Sequence, residues 1–174
     1  CEGKLDISVT NRSNDIFWGM LGSNFVTFSI LHEYLASMTG LGLGLYSHFT
    51  ANAHFYTDRY PLAKVSAMHA ADTGMEMDPD SQFIPLVTAP ESFDAECTKF
   101  VDDPFDRTLW MKDANNRFFR EICFSMFQAW RYHKAKDYKA AFPHIRDIRQ
   151  PDWQIACDQF ISHMADKHKE KTLK

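Results

Sequence analysis

No stretch of this sequence stays apolar for the roughly 20 residues that a helix needs to cross a bilayer, and no basic, apolar, small-residue run of a signal peptide opens it. A soluble, cytoplasmic protein is the expectation. Cysteine is scarce: Cys1, Cys97, Cys123 and Cys157 are widely scattered with no CxxC pair, which argues against a zinc knuckle or a disulfide framework and leaves reduced thiols. Metal-ligand spacing is missing as well. His32-Glu33 lacks the second histidine of an HExxH motif, and His163 and His168 are five apart and do not share a helix face well, so no metal is expected. Nor is there an excess of positive charge. With 19 Lys plus Arg against 23 Asp plus Glu, the formal net charge is −4, and nothing pulls the whole molecule toward nucleic acid or an anionic membrane. Any anion site must be local.

What is present is apolar mass. At 174 residues, 45% hydrophobic and 14% aromatic, the chain can bury a substantial core. Leu5, Ile7 and Val9 alternate with Asp6, Ser8 and Thr10, the period-two pattern of a half-buried strand. Ser23 or Asn24 can cap a helix whose Phe25, Phe28, Leu31, Leu35 and Met38 recur at three- and four-residue spacing, with Gly40 as its stop. That face of the helix is expected to be buried. Residues 41–60 read as extended structure before Pro61, and residues 62–90 carry few signals. Helices are expected from Pro90 toward Phe100, from about Asn115 to His133, and from Pro151 onward, with a solvated basic end over Lys167–Lys174. The fold class is α+β, a single partial domain over 1–174. Residues 1–60 would hold core strands and a helix, and 61–174 a mainly helical part.

The chemistry gathers where the first strand runs out. Asn11 to Asp15 are five consecutive polar residues, and the alternation would carry Asn11, Ser13 and Asp15 onto the face of Leu5, Ile7 and Val9. Arg12 offers a planar fork of donors suited to a phosphate, Ser13 a hydroxyl, and Asp15 an acceptor for heterocycle N–H groups. A surface Arg-Asp pair at a strand end is the plainer alternative. Asn24 is either a helix cap or, through an amide with donor and acceptor side by side, a reader of a pyrimidine edge. His54 and Tyr56 share one strand face by parity, with Asn52 in the same row. They suit sugar hydroxyls or an ordinary sheet surface.

The order "NRSND", Gly19, Asn24 at the head of a helix and then "NAHFY" resembles the thymidylate synthase superfamily, which includes the deoxypyrimidine nucleotide hydroxymethylases of phages. "DW" followed by "AC" at Asp152–Cys157 is similar to the divergent phage-type members. The resemblance implies a mixed sheet packed against helices and a pocket for a deoxypyrimidine monophosphate, with dUMP favoured. It implies that Arg12 and Ser13 hold the 5′-phosphate, Asn24 reads the base, and His54 with Tyr56 hold the deoxyribose 3′-hydroxyl. Asp15 would contact the pterin of 5,10-methylenetetrahydrofolate, the cosubstrate, in a homodimeric enzyme that methylates or hydroxymethylates C5. The family's nucleophilic cysteine precedes this strand, and Cys1 stands too late to be it. The chain therefore reads as the C-terminal part of a longer enzyme, with the nucleophile upstream of Cys1, and alone it is expected not to turn over. One more residue separates Gly19 from Asn24 than is usual in thymidylate synthases. The ending "KHKEKTLK" does not resemble their short apolar tail. The alternative is a non-catalytic nucleotide-binding or interaction protein on the same scaffold; the acidic balance speaks against RNA.

Overall fold

A computed structural model describes residues 3–58 and 83–172, which fall into two compact units, Cys1–Glu76 and Met77–Lys174. Cys1, Pro61, most of 62–90 and the last two residues of the basic end lie outside the described residues. In the first unit, strand β1 (Lys4–Asn11) pairs in parallel with β3 (Gly42–Thr50), and helix α1 (Asn24–Met38) is the crossover between them. Two short strands, β2 (Asn14–Asp15) and β4 (Ala53–His54), form a second parallel pair. A π-type turn over Ile16–Ser23 joins β2 to α1. The Leu5, Ile7, Val9 alternation is the inward row of β1, with Val9 buried.

A bulge shifts the register between Leu5 and Ile7: Leu5 faces Leu43, but Ile7 faces Tyr46. Asp6 holds it, its Oδ1 accepting the Leu45 N–H at 2.7 Å. Gly44 is required there, since a Cβ would stand 2.1 Å from that oxygen and 2.5 Å from the Leu5 carbonyl. The Leu5 carbonyl accepts instead from His32 Nε2 of α1 at 2.6 Å. This corrects the expected burial of α1. Its buried residues are His32 and Ala36, one turn apart, whereas Phe25, Leu31 and Leu35 are exposed. The helix seats a small residue and a hydrogen-bonding ring on the sheet, and the large apolar side chains turn elsewhere. Gly40, at φ +70°, ends α1 as expected, with Leu41 N–H on the Ala36 carbonyl and Gly40 N–H on Ser37.

The second unit is helical: α2 (Pro90–Asp102), α3 (Phe124–Lys134), α4 (Tyr138–Arg146) and α5 (Pro151–Thr172), with π-type turns at Leu109–Asp113 and Phe119–Cys123. Helices were expected at α2, α3 and α5. The stretch from Asn115 begins instead with a bend at Asn115-Asn116 and passes through the second of those turns before α3, and α5 carries the basic end onward as helix through Thr172. Ile84, Ile122, Ala129, Ala141, Ile145, Ile148 and Ile161 form its core. Asn116, fully buried, ties the entry to α2: its Oδ1 accepts from Thr88 and Ala89 N–H, and its Nδ2 donates to Glu96 at 2.7 Å.

Candidate functional site

The polar run sits where the sheet changes partner. β1 ends at Asn11, Arg12 and Ser13 bend, and β2 takes up pairing with β4. The matching bend at Ala51-Asn52 lies beside it, with Ala51 N–H on the Asn11 carbonyl and Asn14 N–H on the Asn52 carbonyl, both at 3.0 Å. Both bends lie past the carboxyl ends of parallel strands, where open α/β sheets hold their ligands.

The structure brings four of the sequence-predicted residues to this edge. Arg12 and Ser13 are exposed on the first bend. Ser13 Oγ is 3.4 Å from His54 Nδ1 and accepts from Asn52 Nδ2 at 3.4 Å. Tyr56 lies beyond β4, so strand parity does not place it. A ring contact does, edge-on to His54 with centroids 5.3 Å apart. Arg12 has no carboxylate within ion-pair distance among the described residues, so the surface Arg-Asp pair is not formed. Asp15 is turned inward along the chain, its Oδ1 accepting the Trp18 N–H at 2.6 Å and capping the π-type turn.

Asn24 does not cap α1, and neither does Ser23, whose hydroxyl donates to the Trp18 carbonyl at 3.0 Å. The π-type turn runs straight into the helix, so the first N–H groups are already occupied. The Asn24 N–H bonds the Gly19 carbonyl five residues back, a closure that takes one more residue than an α-turn. The Asn24 side chain instead donates to Asn14 Oδ1 at 2.9 Å.

Sequence reasoning missed the layer beneath. Asn14 is buried, and its Nδ2 stands 3.4 Å from His48 Nε2, which Asn11 Nδ2 approaches at 2.5 Å. An amide nitrogen can only donate, so His48 Nε2 accepts, and its Nδ1 carries the proton toward the Tyr46 hydroxyl, 3.4 Å away. Burial pushes the Tyr46 phenol up from its usual pKa. Gly19 closes the network, because a Cβ there would lie 1.9 Å from Asn14 Oδ1. The available signal was the parity of Tyr46 and His48 on one strand, one face apart from the flanking apolar residues. None of the three described cysteines is poised as a nucleophile. Burial raises the thiols of Cys97 and Cys157, and that of Cys123 is pushed up to about 12 by burial with a smaller contribution from Cys97.

Comparison with known proteins points the same way. The family model described as thymidylate synthase matches residues 1–91. The deoxyuridylate hydroxymethyltransferase of Pseudomonas phage M6 is 35% identical over 175 residues, covering 92% of this chain and 48% of that protein. The protein of the same description from Bacillus phage SP01 is 34% identical over 119 residues, 68% of this chain and 28% of its own length. A thymidylate synthase of Symbiobacterium thermophilum is 36% identical over 55 residues, 32% of this chain and 19% of that protein. The chain thus spans about half the length, or less, of the curated relatives it matches. No solved structure gives a significant match.

Proposed function

Because this chain belongs to the thymidylate synthase family, we propose that it supplies the nucleotide pocket of an enzyme that methylates or hydroxymethylates C5 of a deoxypyrimidine monophosphate, with dUMP as substrate. The observation that carries this reading is the meeting of Arg12, Ser13, His54 and Tyr56 at one sheet edge, with Asn24 oriented from below by Asn14. Arg12 and Ser13 take the 5′-phosphate, and His54 with Tyr56 take the 3′-hydroxyl. One Asn24 amide hydrogen is spent on Asn14, which leaves the other for uracil O4 and the amide oxygen for N3–H. Asp15, with one oxygen on Trp18, has its second oxygen for the N–H groups of a pterin.

In this reading a cysteine upstream of Cys1 adds to C6, and C5 then attacks the one-carbon unit that 5,10-methylenetetrahydrofolate supplies. Hydride transfer from the folate would finish a methyl group, and water would finish a hydroxymethyl group. The likeness to two phage deoxyuridylate hydroxymethyltransferases favours water. A homodimer is part of the proposal, and the exposed Leu45 and Phe49 on the outer face of the sheet support it. The test is to express the longest reading frame containing this chain with dUMP, dCMP and methylenetetrahydrofolate, and to weigh the nucleotide product. A mass gain of neither a methyl nor a hydroxymethyl group would end the proposal.

Asn24→Asp in that protein should shift preference toward dCMP, because a carboxylate accepts from the cytosine amino group where the amide must donate to O4. The change also sets an acceptor against Asn14 Oδ1. Asn14 must then turn its amide over and present that oxygen to His48 Nε2; a proton on Nε2 would face the Asn11 amide nitrogen as well, so Asn11 must turn its amide with it. The ratio of kcat/KM for the two nucleotides reads the outcome, and an unchanged preference for dUMP would remove Asn24 as the base reader.

A further inference from the structure

Two clefts adjoin on the second unit. The first, of about 240 Å³, has Phe105, Met111 and Phe124 as apolar walls and Arg107 and Arg131 at its edge. The second, of about 290 Å³, is lined by Arg120, Arg146 and Arg149 with Glu121. Met111 and Asp147 line both, so the two lie side by side.

Five arginines therefore surround this space in a chain whose net charge is −4. Among the described residues none of the five has a carboxylate within ion-pair distance. Glu121 is occupied elsewhere, held by both Arg117 nitrogens at 2.7 and 3.2 Å. Neutral groups fix two of the arginines in place without cancelling their charge. Arg131 donates to Gln128 Oε1 at 2.8 Å and lies 4.5 Å over the Phe105 ring, and Arg120 donates to the Ala114 and Asn115 carbonyls. The field reaches the neighbours. Burial, with Arg107 and Arg131 adding to it against Asp147, holds His144 below its usual pKa. Glu121 is lowered first by its Arg117 bond, with Arg149 and Arg120 contributing.

Five guanidinium groups outnumber the two carboxylates that line the same space, Glu121 and Asp147; that excess calls for an anion, and planar donor forks match phosphate oxygens. The apolar walls of the first cleft call for a flat ring beside that anion. We infer that the adjoining clefts together bind a nucleoside polyphosphate, its ring against Phe105, Phe124 and Met111 and its phosphates among Arg120, Arg146 and Arg149. The overall negative charge opposes a long polyanion. The site uses no residue of the first unit, so it stands or falls apart from the dUMP reading.

Calorimetric titration of the 174-residue chain with dUTP, inorganic tripolyphosphate and a short single-stranded oligodeoxynucleotide tests it. The expected result is dUTP binding that is tighter than tripolyphosphate binding. The double variant Arg146→Ala, Arg149→Ala should weaken both by about tenfold or more, the scale of a lost charge-assisted contact. Both side chains are exposed, so packing is spared. Phe105→Ala should bring dUTP down to the tripolyphosphate level. Absence of dUTP binding, equal affinity for tripolyphosphate, or full binding by the double variant would overturn the inference. So would an oligonucleotide that binds more tightly than dUTP, which would mark a nucleic-acid surface, or loss of dUTP binding in Arg12→Ala alone, which would put the polyphosphate in the first unit.

Discussion

Gly19→Ala should destabilise the first unit by roughly 1–3 kcal/mol, the usual cost of forcing an additional carbon into a filled site. The new Cβ would stand 1.9 Å from Asn14 Oδ1, 3.0 Å from Asn14 Cγ and 3.2 Å from Asn24 Nδ2. None of these is the free end of a flexible chain. Asn14 is 4% exposed and is held between Asn24 and His48, so moving it breaks the bond that orients Asn24. Hydrogen exchange over residues 4–54 reads the loss directly, since it reports opening segment by segment. The variant Asn14→Ala, Gly19→Ala separates the causes. With the amide gone the clash is gone, so the double variant should cost less than the two single costs summed. Additive costs, or exchange unchanged in Gly19→Ala, would show that Gly19 does not press on Asn14.

The same residues show how far the linear sequence can be read. The apolar row of β1 and its polar ending were legible because strand alternation is local, and they mark the edge where the bends meet. Gly40, Pro90 and Pro151 marked helix ends for equally local reasons: a left-handed φ at the stop and a proline where no N–H partner is needed. His32 was not legible as a packing residue. Its value depends on a carbonyl of Leu5 beside a bulge that exists only once β1 meets β3. His48 was hidden in the same way, since its partner Asn11 is 37 residues away in sequence. Helix α4 was masked by Pro143, which ordinarily breaks a helix. Packing overrides it here, with Ala141 and Ile145 at 0% and 1% exposure. Asn24 was read with both its possible roles in view, and the turn before it removes the capping role by occupying the N–H groups a cap would serve.

Arg12→Ala, made in the full-length protein, should weaken dUMP binding by about 10- to 150-fold, corresponding to the roughly 1.5–3 kcal/mol of a charge-assisted hydrogen bond. Arg12 is exposed on a bend and without a carboxylate partner among the described residues. Removing it should therefore cost little stability, and an affinity loss can be assigned to the ligand. Three comparisons make the assignment specific. Deoxyuridine, which lacks the phosphate, should bind the variant as well as it binds the original protein. Added salt should weaken dUMP binding to the original protein more than to the variant, because an exposed charge pair is screened over about 10 Å at 0.1 M. Arg12→Lys should fall between the two, keeping the charge but losing the two-pronged geometry. Equal losses for dUMP and deoxyuridine would mean that Arg12 only shapes the bend that carries Ser13. Unaltered dUMP affinity would remove the phosphate from this edge of the sheet, and with it the assignment of His54 and Tyr56 to the sugar, since those two roles are fixed by where the phosphate sits.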